Sequence, residues 1–268
     1  MAVSTADRRA RFRELHAQEG IFVMPNPWDE GSARLLAWCG FPALATTSAG
    51  FAWTLGRNDQ SVTRDELVAH VARLAAATDV PLSVDSERCF GADPAGVAET
   101  VRLLAAAGAA GCSIEDYDPA TGRIDPIATA AERVAAAAAA AHEGDAMVLT
   151  ARAENHLHGR DDLDDTIARL VAYRAAGADC VYAPGLTAPA DIAALVAAVD
   201  APVNVLALPS APGIAELGRL GVRRVSTGSL LASAAYGAML AGARELRSEG
   251  SSGYARAGLP ADVRSAAF

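Results

Sequence analysis

The run LSVDSERCFG, Leu82–Gly91, carries a short apolar segment straight into Asp85 and Glu87. Two acids at the tip of a buried strand resist ionising together unless a cation compensates them. Similar endings recur: Glu115 and Asp116 in CSIEDY, Arg152 and Glu154 in MVLTARAE, Tyr182 in CVYAPG, Asn204 in PVNVLAL, and Ser226 and Thr227 in RRVSTGS. Earlier runs close on Asn26 and Trp28, and on Thr46, Thr47 and Ser48. An all-oxygen cluster without a Cys or His pattern suits a hard ion, magnesium or manganese. Asp85 is the candidate direct ligand. Glu87 and Glu115 would hold metal-bound water, and Asp59 in GRND could join from a loop. His156 and His158, two positions apart, do not form a zinc pattern.

Arg152 stands among these acids. A buried arginine needs a partner. It either pairs with Glu154 or Glu115 or clamps an anionic substrate through its planar fork. Backbone amides in TTSAG, from Thr47 through Ser48 and Ala49, could bind the same anion, with Gly50 allowing close approach. Metal, arginine and amides together describe a site for a small oxo-acid, in which an enolate is stabilised electrostatically. Tyr182 is either a proton donor there or a packed aromatic at a strand end.

Eight short β-rich runs must position these residues, at 21–26, 43–48, 81–87, 112–117, 147–154, 180–185, 202–208 and 223–229. Between them lie Ala- and Leu-rich segments with helical spacing, such as 65–77 and 94–107, several ending in a glycine just before the next strand. Such alternation implies parallel strands with right-handed crossovers, and eight units predict one (β/α)8 TIM barrel spanning residues 1–268. A helix over 5–19 precedes it and a tail over 247–268 follows. A doubly wound sheet is the alternative, but no glycine-rich phosphate loop follows the first strand.

The 268 residues are 51% hydrophobic, which excludes a disordered chain. A net charge of -9 without a basic patch argues against nucleic acid. No apolar run is long enough for a bilayer, and the arginine-bearing N-terminus lacks the apolar core of a secretory signal. Cys39, Cys89, Cys112 and Cys180, far apart and without CxxC, read as reduced thiols of a cytoplasmic protein.

The succession PNPWDEGSARLL, TTSAGFAWTLGRND, SVDSE, SIEDY, TARAEN and NVLALP resembles the isocitrate lyase / phosphoenolpyruvate mutase superfamily over roughly residues 10 to 245, most closely its small bacterial phosphoenolpyruvate-mutase-like members. The resemblance implies a magnesium- or manganese-dependent barrel that makes or breaks a C–C or P–C bond beside a 2-oxo acid. It also implies a homo-oligomer, a dimer or a tetramer, whose last helix is exchanged between subunits. By position, Asp85 corresponds to the metal-binding aspartate and Glu115 to the glutamate of the IED motif. Glu87 stands where an aspartate is usual. Arg152 and Asn204 correspond to substrate-anion contacts, Thr47, Ser48 and Ala49 to the loop that binds the oxo-acid carboxylate, and Asp59 to an acid behind the metal. Glu154 would support Arg152, and the catalytic groups would be Arg152, Glu115 and Tyr182.

The departures bear on substrate. The isocitrate and methylisocitrate lyases carry a mobile loop with a catalytic cysteine, but here DYDPATGRIDP follows Glu115 without Lys, Cys or His. The phosphonomutases carry a histidine after the sixth strand, where this chain reads CVYAPGL. The leading expectation is a magnesium-dependent lyase acting on a small 2-oxo or 2-hydroxy dicarboxylate, with isocitrate and methylisocitrate cleavage disfavoured. P–C bond chemistry and a non-catalytic oxo-acid binder are the alternatives.

Overall fold

The computed structural model describes residues 3–268. In chain order its strands are β1 (Phe22–Met24), β2 (Leu44–Ala45), β3 (Leu82–Val84), β4 (Gly111–Glu115), β5 (Tyr117–Asp118), β6 (Arg123–Ile124), β7 (Val148–Arg152), β8 (Cys180–Tyr182), β9 (Val203–Leu206) and β10 (Arg224–Ser226). Eight of them form one parallel sheet in the order β1-β10-β9-β8-β7-β4-β3-β2. The last strand thus pairs with the first. Ala45 N–H donates to Pro25 O at 3.1 Å across the remaining seam, linking the ends of β1 and β2. This is the expected (β/α)8 barrel. The hydrogen-bonded ladders are shorter than the sequence runs, because each run continues into the loop that carries its polar residues.

The helices are α1 (Thr5–Ala17), α2 (Glu30–Trp38), α3 (Ser48–Thr54), α4 (Arg64–Ala77), α5 (Pro94–Ala106), α6 (Ile127–Ala141), α7 (Leu163–Ala175), α8 (Pro189–Ala198), α9 (Ile214–Arg219), α10 (Leu230–Glu249) and α11 (Ala261–Ala267). Local chemistry sets their ends. Asp29 and Thr63 open α2 and α4 with reciprocal capping boxes, and Asp93 caps α5 with Pro94 in its first turn. Gly108 and Gly177, at φ 97° and 106°, turn the chain after α5 and α7 into the next strand, a conformation that side chains with a Cβ resist. The expected helix over 5–19 ends earlier, at Ala17, where Gln18 takes an extended conformation. The expected tail from 247 begins three residues late, at Gly250, since α10 runs to Glu249. The β5–β6 hairpin was not foreseen; two-residue strands leave too little pattern to read.

Two apolar layers hold the barrel. The larger lies between strands and helices, with Leu74, Leu82, Leu104, Ile114, Leu149 and Tyr173 each nearly or fully buried. Full burial of one such side chain is worth roughly 1.5–3 kcal/mol. The smaller, Phe12, Phe22, Met24, Ala43, Ala45, Ala110, Val148 and Cys180, joins α1 to the N-terminal ends of the strands. Phe12 and His16 of α1 thereby close the bottom of the barrel. Arg8 and Arg9 fasten the helix by donating to the carbonyls of Ala75, Thr78 and Ala109. The opposite, C-terminal mouth is left open.

Candidate active site

Strand alternation places Ser83 and Asp85, Ser113 and Glu115, Thr150 and Arg152, and Arg224 and Ser226 on the inner side of the sheet. A cavity of about 170 Å³ descends from the mouth into this interior. Thr47, Ser48, Ala49, Asp59, Asp85, Arg152, Tyr182 and Asn204 line it, together with Ser83, Ser113, Thr150 and Arg224. Glu87, Glu115 and Glu154 stand behind these residues rather than on its wall.

Arg152 ends β7 and organises the acids. Nη1 lies 2.7 Å from Asp85 Oδ1, Nη2 3.3 Å from Glu115 Oε2, and Nε 2.7 Å from Glu154 Oε1. Both partners proposed from the sequence, Glu154 and Glu115, are therefore present, and Asp85 joins them. Burial, helped by the charges of Glu154 and Asp85, pushes the Glu115 carboxyl well up from the usual carboxylate range, against the pull of Arg152. Burial raises Glu154 in the same way. Glu115 Oε1 also accepts from Gln60 Nε2 at 2.8 Å. Gln60 was not foreseen. It sits at φ 61°, and its Oε1 is buried without a partner among the described residues.

Asp85, Asp59 and Glu87 crowd one another. Burial, then the charges of Asp85 and Asp59, push Glu87 up to about 8. Burial and Asp85 also raise Asp59. The Glu87 backbone sits at φ 49°, left-handed for a non-glycine residue, followed by Cys89 and Phe90 at 58° and 54°. Backbone strain of this kind clusters at functional sites. Cys89 itself is fully buried, and burial pushes its thiol up to about 12.

Among the described residues, no three Asp, Glu, His or Cys side chains already cage an ion. The cluster expected from Asp85, Glu87 and Glu115 is thus not preformed, because Glu115 is turned to Gln60 and Arg152. The donor set nevertheless fits a hard dication. Magnesium takes only one or two direct carboxylates and keeps its other waters. Asp85 on the cavity wall and Glu87 behind it, whose carboxylate makes no hydrogen bond among the described residues, are the oxygens that gain from such a charge.

The loop expected to bind the oxo-acid carboxylate is α3 with its cap. Ser48 N–H donates to Asp85 Oδ2 at 3.0 Å, and Gly50 N–H to Thr47 Oγ1 at 3.3 Å. The Thr47 and Ala49 N–H groups are left without a partner among the described residues. Gly50 does not serve a ligand. A Cβ there would meet Thr47 Cγ2 at 2.6 Å and Trp28 Cβ at 3.0 Å, so its bareness serves packing.

Tyr182 lines the cavity with the Arg152 guanidinium 5.5 Å from its ring centroid. Burial holds its phenol well above the usual range, so it carries its proton at neutral pH. Asp116 is not part of the cavity. Tyr173 OH donates to it at 2.6 Å and Arg169 Nη1 lies 3.1 Å away, both from α7. His158, on the short helix Asn155–His158, stacks on Tyr117 of β5 at 3.7 Å, anchoring the hairpin beside the mouth. Asn204 donates to Ser226 Oγ at 2.9 Å, while its Oδ1 accepts from Arg224 Nε at 2.9 Å.

The family model for phosphoenolpyruvate phosphomutase matches residues 12–247. A Burkholderia cenocepacia J2315 protein of the lyase/mutase type superposes with a TM-score of 0.93 at 50% identity, over 97% of this chain and 95% of that one. An oxaloacetate decarboxylase of Paraburkholderia xenovorans (strain LB400) is 33% identical over 83% of this chain and 75% of its own length. A Corynebacterium glutamicum protein named as a 2-methylisocitrate lyase is 34% identical over 75% of this chain and 67% of its own. With a barrel mouth built on strand-end acids around one arginine, the chain belongs to the isocitrate lyase / phosphoenolpyruvate mutase superfamily, a family of C–C lyases and mutases.

Proposed function

We propose that the chain is a magnesium- or manganese-dependent lyase that breaks or forms a C–C bond in a small 2-oxo or 2-hydroxy dicarboxylate. The observation that carries this reading is Arg152, tied to Asp85, Glu115 and Glu154 on the wall of an open cavity. The oxaloacetate decarboxylase among the relatives makes oxaloacetate the first substrate to try. When bound between Asp85 and Glu87, the metal would supply Lewis-acid stabilisation of an enolate. Arg152 presents cationic N–H groups to the substrate once Asp85 turns away. The Ala49 N–H donates to the carboxylate, and Asn204 donates to a second oxygen through its NH2. Tyr182, kept protonated by burial, is the group able to return a proton to carbon. Glu115 and Glu154 hold the guanidinium plane.

Two further parts belong to the proposal. Helix α10 buries only Ala232 and Gly242, while Met239, Leu240 and Leu246 are 64%, 48% and 47% exposed. An apolar helix face left in water favours association with a second copy, so we expect a homodimer or homotetramer that covers α10. Among the described residues no helix is long and apolar enough to cross a membrane, and no disulfide forms. Both support a cytoplasmic enzyme.

The test is NMR of oxaloacetate incubated with protein and magnesium. C–C cleavage products support the lyase. Products from phosphonopyruvate alone, followed by phosphorus NMR, would replace it with P–C chemistry. Ligand-dependent thermal stabilisation without turnover would leave a binder.

A further inference from the structure

Arg224 opens β10 and is 3% exposed. Its Nε donates to Asn204 Oδ1 at 2.9 Å, and its Nη2 to Thr150 Oγ1 at 2.9 Å. Its Nη1 lies 3.0 Å from His16 Nε2. His16 Nδ1 is 2.7 Å from Phe12 O and so carries the ring proton, leaving Nε2 as the acceptor. Burial and the charge of Arg224 hold the imidazole neutral, its pKa lowered to about 3. All three partners are therefore uncharged. Among the described residues no carboxylate stands within 4.0 Å of the Arg224 guanidinium, whereas Arg152 has three.

A buried cation without a counter-ion is costly, and native structures keep one where an anion is to arrive or where other groups compensate it. Arginine has five N–H donors, and only three are used here, so two remain for a ligand. The surroundings agree. The interior of such barrels is ordinarily filled by branched apolar side chains. Here Ser83, Ser113 and Thr150 line the cavity instead, and the Ser83 hydroxyl makes no hydrogen bond among the described residues. Arg224 lines the same cavity, below the mouth where Arg152 and Ala49 stand. The cavity thus holds one arginine already neutralised by carboxylates and one that is not.

We propose that Arg224 is a specificity-determining residue, receiving the second carboxylate of a four-carbon 2-oxo or 2-hydroxy dicarboxylate whose other end lies at the mouth with Arg152. This rests on the oxo-acid reading above and deepens it by naming the group that receives the dicarboxylate's second carboxylate. The Ser83 and Thr150 hydroxyls can donate to the same carboxylate, Thr150 because its oxygen already accepts from Arg224. The arrangement also sets the Asn204 amide. With Oδ1 taken by Arg224, the Asn204 NH2 group is turned towards Ser226 and the cavity, as a donor to the substrate.

The experiment is calorimetry, in magnesium, with racemic malate and racemic lactate, which differ only by the second carboxylate. The wild-type protein is expected to bind malate at least about tenfold more tightly, as one charge-assisted contact allows. In Arg224→Met the ratio should fall to about one. Ser83→Val, which fills the interior without touching the His16 contact, should also lower the ratio and decides the matter if Arg224→Met does not fold. Binding of both ligands by wild type with no preference for malate, or a preference unchanged in the folded variants, overturns the assignment of Arg224 and leaves the oxo-acid site standing. Binding of neither ligand by wild type overturns the oxo-acid reading, and this assignment with it.

Discussion

Arg152 Nη1 and Asp85 Oδ1 sit 2.7 Å apart, so the candidate metal ligand and the candidate substrate clamp are each other's partner. Neither can serve a ligand without releasing the other. Metal at Asp85 and anion at Arg152 should therefore bind cooperatively: each frees the group that the other needs. Oxalate should bind more tightly in the presence of magnesium, and magnesium more tightly in the presence of oxalate, by the same factor. Independent binding, measured by calorimetry in both orders, would show that the pair does not open.

Removing Asp85 tests the metal. Asp85→Ala should abolish the rise in melting temperature on adding magnesium or manganese, because a ligand bound by the native state alone raises apparent stability. The fold itself should lose no more than about 1–2 kcal/mol, since Arg152 keeps Glu115 and Glu154 and since Asp59 and Glu87 lose a repelling neighbour. A metal response equal to wild type would remove Asp85 from the ligand set.

Arg152→Lys keeps the charge and loses the fork. One ammonium cannot face three carboxylates in the same geometry. Oxalate binding should weaken by at least ~1.5 kcal/mol. Equal affinity by calorimetry would make Arg152 a purely structural ion-pair centre.

Cys89 is the one cysteine near the acids, yet it is fully buried and its thiol is pushed up to about 12. The hairpin β5–β6 and its turn hold no Cys, Lys or His. A general acid or base on such a loop is worth typically 10²–10⁴-fold in rate. Despite the kinship with a protein named as a 2-methylisocitrate lyase, this chain should not release glyoxylate or pyruvate from isocitrate or methylisocitrate, and its own activity should survive Cys89→Ser. Robust cleavage of either substrate, or loss of activity in Cys89→Ser, would place the catalytic acid elsewhere than Tyr182.

Acid stability follows from two buried histidines. Burial lowers His16 from 6.5 to about 3 and His70 to about 4. Both are neutral in the folded state, while the unfolded chain takes up protons from about pH 6.5 downward. Stability is therefore full above pH 6.5 and falls as pH drops towards 4 and then 3. The slope approaches about 1.4 kcal/mol per pH unit for each histidine. Chemical denaturation between pH 7 and 4 should show a shallower decline in His16→Gln, which can still accept from Arg224. An identical decline would mean that other groups set the acid limit.

The barrel and the acids at its mouth could be read from the sequence because both are local. A strand-end residue in such a barrel faces the site wherever its partners lie. What could not be read depended on distant contacts. Asp116 looked like one more site acid, but Arg169 and Tyr173 of α7 draw it out of the cavity. Arg224 stands beside Arg223 and looks like half of a surface pair. Arg223 faces outward to the carbonyls of Gln18 and Gly20, while Arg224 faces inward. The clue was the period of two: Ser83, Ser113 and Thr150 each stand two residues before a residue that was singled out. Gln60 gave no such sign, because its loop has no period and its role comes from a contact with Glu115, 55 positions away.

The contact between His16 and Arg224 joins residues 208 positions apart, one on the first helix and one on the last strand of the barrel. On the ribosome the first helix is made well before β10, so its contact with Arg224 must wait until that strand has emerged, although Arg8 and Arg9 can already reach Ala75, Thr78 and Ala109. The barrel floor is therefore completed only after β10. Contacts of such sequence separation are slow to form, since the loop between them must be closed first. Relocating the termini by circular permutation, with α1 joined behind α11 so that only α10 and α11 separate it from β10, should shorten this step and speed refolding without altering the mouth.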